Sequence, residues 1–101
     1  MNELERLNKG YISKCDGRWE NDHGVCLQST DNPGWWLTVD LRDTGLESKT
    51  FTELSKGVGD DGHPTSKTWL HCSIKGGKFS GAGDPTRLAE IISIFLDFAN
   101  V

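Results

Sequence analysis

The residues with the most chemical promise run together as His71-Cys72-Ser73-Ile74-Lys75-Gly76-Gly77-Lys78. A thiol followed by paired glycines and a cation is the set needed to capture a phosphoryl or sulfane group. The thiolate attacks, backbone amides cradle the oxyanion, and a cationic fork holds it. Lys78 stands where that fork belongs, and lysine supplies a point charge instead of planar, bidentate recognition. A phosphate-cradling loop also leads directly into a helix N-terminus, whereas Phe79-Ser80-Gly81-Ala82-Gly83 intervenes before the next helix signal at Asp84. The sequence therefore favours Cys72 as a strand residue packed in the core. The alternative is a small cysteine-dependent phosphatase or sulfurtransferase using Cys72, since the run resembles the HCSxGxGR loop of cysteine phosphatases.

Other catalytic constellations are weaker. His23, His63 and His71 have neither i, i+4 nor CxxC partners, so no metal site is expected. No GxSxG elbow supports a Ser-His-Asp triad, and nothing suggests a cofactor. Cys15, Cys26 and Cys72 are odd in number and widely spaced, as expected of reduced thiols. What remains is an acidic and aromatic set: Asp16, Trp19, Glu20, Asp31, Trp36, Asp40, Asp43 and Glu47. Each residue alone serves as a turn acceptor or solvated side chain. Together, indoles ringed by carboxylates have the composition of a surface that captures a basic partner. Asp16, Glu20, Asp31, Trp36, Asp40 and Asp43 are the candidate partner-binding residues.

These residues need a framework. Thr30 to Leu41, TDNPGWWLTVDL, organises it. Asn32-Pro33-Gly34-Trp35 predicts a type II turn, with proline presetting φ and glycine taking the positive φ that follows. It joins strands over Gly24 to Thr30 and Trp35 to Leu41. In the second strand Trp35, Leu37, Val39 and Leu41 face a core, and Trp36, Thr38, Asp40 and Arg42 face away. Residues 2 to 14 place Leu4, Leu7, Tyr11 and Ile12 at helical spacing. Cys15 to Gly24 is expected as a loop that plugs Trp19 into the core. Thr50 to Leu54 predicts a third strand, Lys56 to Ser66 an exposed loop, and Thr68 to Ile74 a fourth strand. Gly76-Gly77 then turns the chain into a short fifth strand over Lys78 to Ser80. Asp84 as N-cap and Pro85 at the first helical position open a final helix, with Leu88, Ile91, Ile92, Phe95, Leu96 and Ala99 on one stripe. The expected class is α+β: an antiparallel sheet of four to five strands with N- and C-terminal helices packed on one face, forming a single domain over residues 1–101.

Charge narrows the partner. Residues 31 to 53 carry five acids against two bases, while 54 to 83 carry two acids against four bases, within a net charge of −4. Nucleic acid is disfavoured because neutralising phosphates needs a clustered basic face. No apolar run approaches the roughly 20 residues of a membrane span, and no signal-peptide pattern opens the chain. A cytoplasmic protein with a basic protein partner, no membrane association and no nucleic acid is the expectation.

Several runs resemble one family: Cys15-Asp16-Gly17-Arg18-Trp19-Glu20, His23-Gly24, Thr30 to Trp35, Asp40-Leu41, Trp69-Leu70-His71-Cys72, Phe79 to Gly83 and the closing helix. Their order and spacing over nearly the whole chain are similar to the immunity protein 53 family of bacterial polymorphic toxin systems. Arg18 departs from the acid of that pattern, and Phe98 from its tryptophan. The resemblance implies a non-enzymatic cytoplasmic protein that binds and neutralises a cognate toxin domain.

Overall fold

The computed structural model describes residues 2–61 and 63–100. Helix α1 (Glu3–Lys14) is followed by a single helical turn α2 (Trp19–Asp22), then β1 (Val25–Thr30) and β2 (Gly34–Asp40). β3 (Leu54–Lys56), β4 (Leu70–Lys75), β5 (Lys78–Gly83) and α3 (Leu88–Ala99) complete the order. The strands form one antiparallel sheet in the order β1-β2-β5-β4-β3. This is the expected α+β architecture, with α1 and α3 on one side of the sheet.

Alternation decides which side is covered. Leu37 and Val39 of β2, Phe79 of β5, and Leu70 and Cys72 of β4 share one face and are buried. They meet Ile91, Ile92, Phe95 and Leu96 of α3 in a contiguous core. The α3 stripe is the predicted one, with Phe98 buried in addition. Gly81 lets the helix approach, since a Cβ there would lie 2.8 Å from the Ile91 Cγ2. α1 packs beside α3, where Arg6 reaches Asp97 at 3.7 Å. Of its predicted apolar stripe only Leu7 is buried, and Leu4, Tyr11 and Ile12 stay exposed.

Local expectations hold in some places and are corrected in others. Gly76 and Gly77 both take positive φ and connect Lys75 to its partner Lys78, the predicted two-residue hairpin. The β1–β2 turn differs. Gly34 does not have positive φ but pairs directly with Thr30, leaving Asp31, Asn32 and Pro33 as the loop. Glycine is required there for space, since a Cβ would sit 2.3 Å from the Gly83 carbonyl oxygen. The third strand begins at Leu54 instead of Thr50, because Phe51 turns its ring edge-on to Phe79 and Phe98, 5.7 and 5.5 Å away. β4 starts at Leu70, two residues later than expected, and β5 continues to Gly83, held by ladders on both sides despite its small residues. Cys15 to Gly24 contains α2 where a loop was expected.

Asp84 and Pro85 do not begin α3, whose N-cap position is Arg87. Asp84 instead closes the turn before it, accepting from the Thr86 amide at 2.9 Å and from the Trp69 amide at 2.8 Å. Asp84 thereby ties the helix entry to β4.

The contact at Gly34 supplies a test of the turn. Gly34→Ala must displace the backbone of β5, so it should lower unfolding stability by about 1–3 kcal/mol, measured by urea denaturation. Wild-type stability in that variant would show that the hairpin is not clamped there.

Candidate partner-binding surface

Among the described residues no helix covers the opposite face of the sheet. Register places Gln28, Trp36, Ala82 and His71 in one row across it, and Cys26, Thr38, Ser80 and Ser73 in the next. Trp36 is 38% exposed, and its Nε1 donates to the Ser80 Oγ at 2.9 Å, which holds the indole against the sheet. Such an anchored ring presents apolar area with little rotamer entropy left to lose on contact. His71 lies 3.6 Å from Glu53 on the same side.

Asp40 sits on this face but is only 5% exposed. Arg42 wraps it: Nε donates to Oδ1 at 3.0 Å, Nη2 to Oδ2 at 2.6 Å, and the Arg42 amide to Oδ1 at 3.0 Å. The side-chain bond from Arg42, above all, pulls the Asp40 carboxyl down to about 2. Lys78 is its cross-strand neighbour, so the carboxylate is neutralised within the chain. His23 bridges onward, with Nδ1 3.2 Å from the Asp40 Oδ2 and Nε2 3.4 Å from the Asp43 Oδ2. The Nδ1 contact meets ion-pair distance but not hydrogen-bond direction. Asp43 itself, at positive φ, is 77% exposed at the side chain.

The Asp16-to-Glu20 loop is built by reciprocal capping. Asp16 Oδ1 accepts from the Arg18 and Trp19 amides, both at 2.9 Å, and the Glu20 carboxylate accepts from the Asp16 and Gly17 amides. Backbone amides lower both carboxyl pKa values, that of Asp16 chiefly through the Trp19 amide and that of Glu20 chiefly through its own amide, with Gly17 and Asp16 adding to it. The loop is joined to β2 where the buried Trp19 Nε1 donates to the Asp40 carbonyl at 3.3 Å. Asp16, Glu20, Asp40 and Asp43 thus gather around one end of the β1–β2 hairpin. Asp31 lies exposed in the turn at the other end, and Trp36 stands between. His23 and Arg42 were missed as members of this cluster. Arg42 shares the side of Asp40 by period 2, a legible signal, but His23 is brought in only by the pairing of β1 with β2.

Cys72 is fully buried on the helix-covered face, and burial pushes its thiol up to about 11. Gly76 and Gly77 form the hairpin turn instead of an amide cradle. Nothing in this arrangement supports the phosphatase or sulfurtransferase alternative. Among the described residues no group of three His, Cys, Asp or Glu side chains could hold a metal, and no helix is long and apolar enough to cross a membrane.

Two measurements check these assignments. With iodoacetamide on the native protein, exposed Cys26 should react readily and Cys72 only after unfolding; prompt labelling of Cys72 would contradict its burial. Because the folded-state pKa of Asp40 lies below its ordinary value, its stabilising contribution is complete above about pH 4. That contribution is lost as pH falls through about 2. Asp40→Asn should therefore lose on the order of 2 kcal/mol at pH 7 and flatten this acid limb in denaturation experiments.

Comparison with curated proteins finds no match, and none is found among solved structures. One family does match, described as immunity protein 53, over residues 4–100. That match takes in every strand and, from Leu4 onward, every helix described above, so the chain belongs to the immunity protein 53 family.

Proposed function

We propose that this chain, acting as one domain over residues 1–101, is an immunity protein that binds a cognate bacterial polymorphic toxin in the cytoplasm and neutralises it without catalysis. The observation that carries the reading is membership of an immunity family along nearly the whole chain. The anchored, half-exposed Trp36 on an uncovered sheet face supports a contact surface there. The exposed carboxylates of Asp31 and Asp43, with Asp16 and the partly buried Glu20, supply negative charge at both ends of the β1–β2 hairpin. Asp40 contributes by holding Arg42 and the His23 bridge in place. Its own oxygens are already engaged.

An aromatic anchor and exposed border charges make different contributions to binding. The anchor governs dissociation, whereas border charges steer approach and lose influence in salt. Co-expression of the chain with its cognate toxin domain should rescue cell growth, and failure of the intact protein to do so would overturn the proposal. Trp36→Ala should weaken toxin affinity by about 30-fold through faster dissociation, measured by surface plasmon resonance. Asp31→Lys with Asp43→Lys should instead slow association and reduce its salt dependence.

A further inference from the structure

The two edges of the sheet are treated differently. β3 offers only Leu54, Ser55 and Lys56, a three-residue strand that carries a lysine and follows Glu53. Short length and charge are the usual guards against pairing with another chain. β1 has neither. Its six residues, Val25-Cys26-Leu27-Gln28-Ser29-Thr30, include no charge and no proline, and the register with β2 runs from Val25↔Val39 to Thr30↔Gly34 without a bulge. Among the described residues no strand other than β2 pairs with it.

The orientation of the free groups follows from the ladder. The Asp40 amide donates to the Gly24 carbonyl at 3.0 Å, so the alternation of an antiparallel pair turns Gly24, Cys26, Gln28 and Thr30 toward β2. The N–H and C=O groups of Val25, Leu27 and Ser29 therefore point outward. Leu27 leaves 40% of its surface exposed on the side of the sheet where α1 lies. Beside Val25, a groove of about 320 Å³ is lined by Leu4, Leu7 and Tyr11 of α1. The ends of the strand are acidic, with Glu20 and Asp22 before it and Asp31 after it.

We propose that β1 is a docking edge that takes an extended segment of the toxin as a sixth strand, an inference that rests on the toxin-neutralising reading above. The segment is apolar where it faces Val25 and Leu27, and basic where it passes the acidic ends of the strand. Main-chain hydrogen bonds to Val25, Leu27 and Ser29 hold it, and the α1 groove selects its apolar side chain. A second copy of this chain fits less well. Antiparallel β1–β1 pairing sets the Glu20 and Asp22 end of one chain against the Asp31 end of the other, acid upon acid.

The test uses the full chain and a detoxified form of its cognate toxin domain. Ser29→Pro removes one outward donor at a position where an edge strand tolerates proline, and Leu27→Lys installs the missing guard. Circular dichroism checks that both variants stay folded. Each is expected to bind at least 30-fold more weakly than the parent in calorimetry, and the Val25, Leu27 and Ser29 amides of the parent are expected to gain hydrogen-exchange protection on binding. Folded variants that bind as tightly as the parent, or amides that exchange at the free-protein rate in the saturated complex, would overturn the edge and leave the neutralising function standing. A parent that fails to bind the toxin removes that function and the edge with it. Protection of the same amides in a dimer of the isolated chain would assign the edge to a second copy and overturn the proposal.

Discussion

The burial of Phe79 is the constraint on which the rest of the structure depends. It lies in the central strand β5, wholly inaccessible, with β2 on one side and β4 on the other. Its ring meets Phe51 from the long connection at 5.7 Å and Phe95 of α3 at 5.2 Å. Sheet, connection and helix therefore close on one side chain, and an edge-on contact with Phe51 and a tilted one with Phe95 fix their relative orientation as well as excluding water. The small residues around it serve the same contact. Gly81 leaves room for Ile91, so α3 lies close enough to seal the ring.

Sealing one face leaves the other for a different purpose. Among the described residues two helices are long enough to cover a sheet, and both lie on the Phe79 side. The opposite face carries mostly small or polar side chains, Gln28, Thr38, Ser80, Ser73 and His71 with Cys26 and Ala82, and is interrupted by the indole of Trp36 tied to Ser80. A half-exposed tryptophan with a fixed ring is poorly explained by folding alone. The proposed toxin contact would account for it, and for an uncharged edge strand of the kind that sheet proteins ordinarily guard. The face and the edge adjoin through Gln28, the cross-strand partner of Trp36.

The carboxylates divide by what they touch. Asp40 and Asp84 are buried, with oxygens committed to Arg42 and to the Thr86 and Trp69 amides, and both are held near 2. Asp16 and Glu20 cap their own turn while remaining accessible in part to solvent. Asp31 and Asp43 project outward, where their negative field would act on the proposed partner. Acidity in the sequence thus supports internal order in one group, and in the proposed complex it would supply long-range attraction in the other.

The sequence by itself determined the elements whose signals are local. Period-2 alternation marked Leu37, Val39 and Leu41 as core, helical spacing marked Ile91, Ile92, Phe95 and Leu96, and Gly76-Gly77 specified its hairpin, because each pattern is written in a few neighbouring residues. The order and spacing of its motifs also sufficed to indicate the family. What depends on non-local contacts was decided by the tertiary structure. Phe51 left the third strand for an aromatic contact, Gly34 proved to serve close approach instead of a type II turn, and Asp84 turned back to Trp69 instead of capping α3. The candidate site follows the same division. Trp36 and its neighbours on one side of β2 were legible, whereas the enclosure of Asp40 by His23 and the exposure of β1 as an edge were not. Strand order is set by which pairings bury the most apolar surface together, a property of the assembled sheet that no single segment carries.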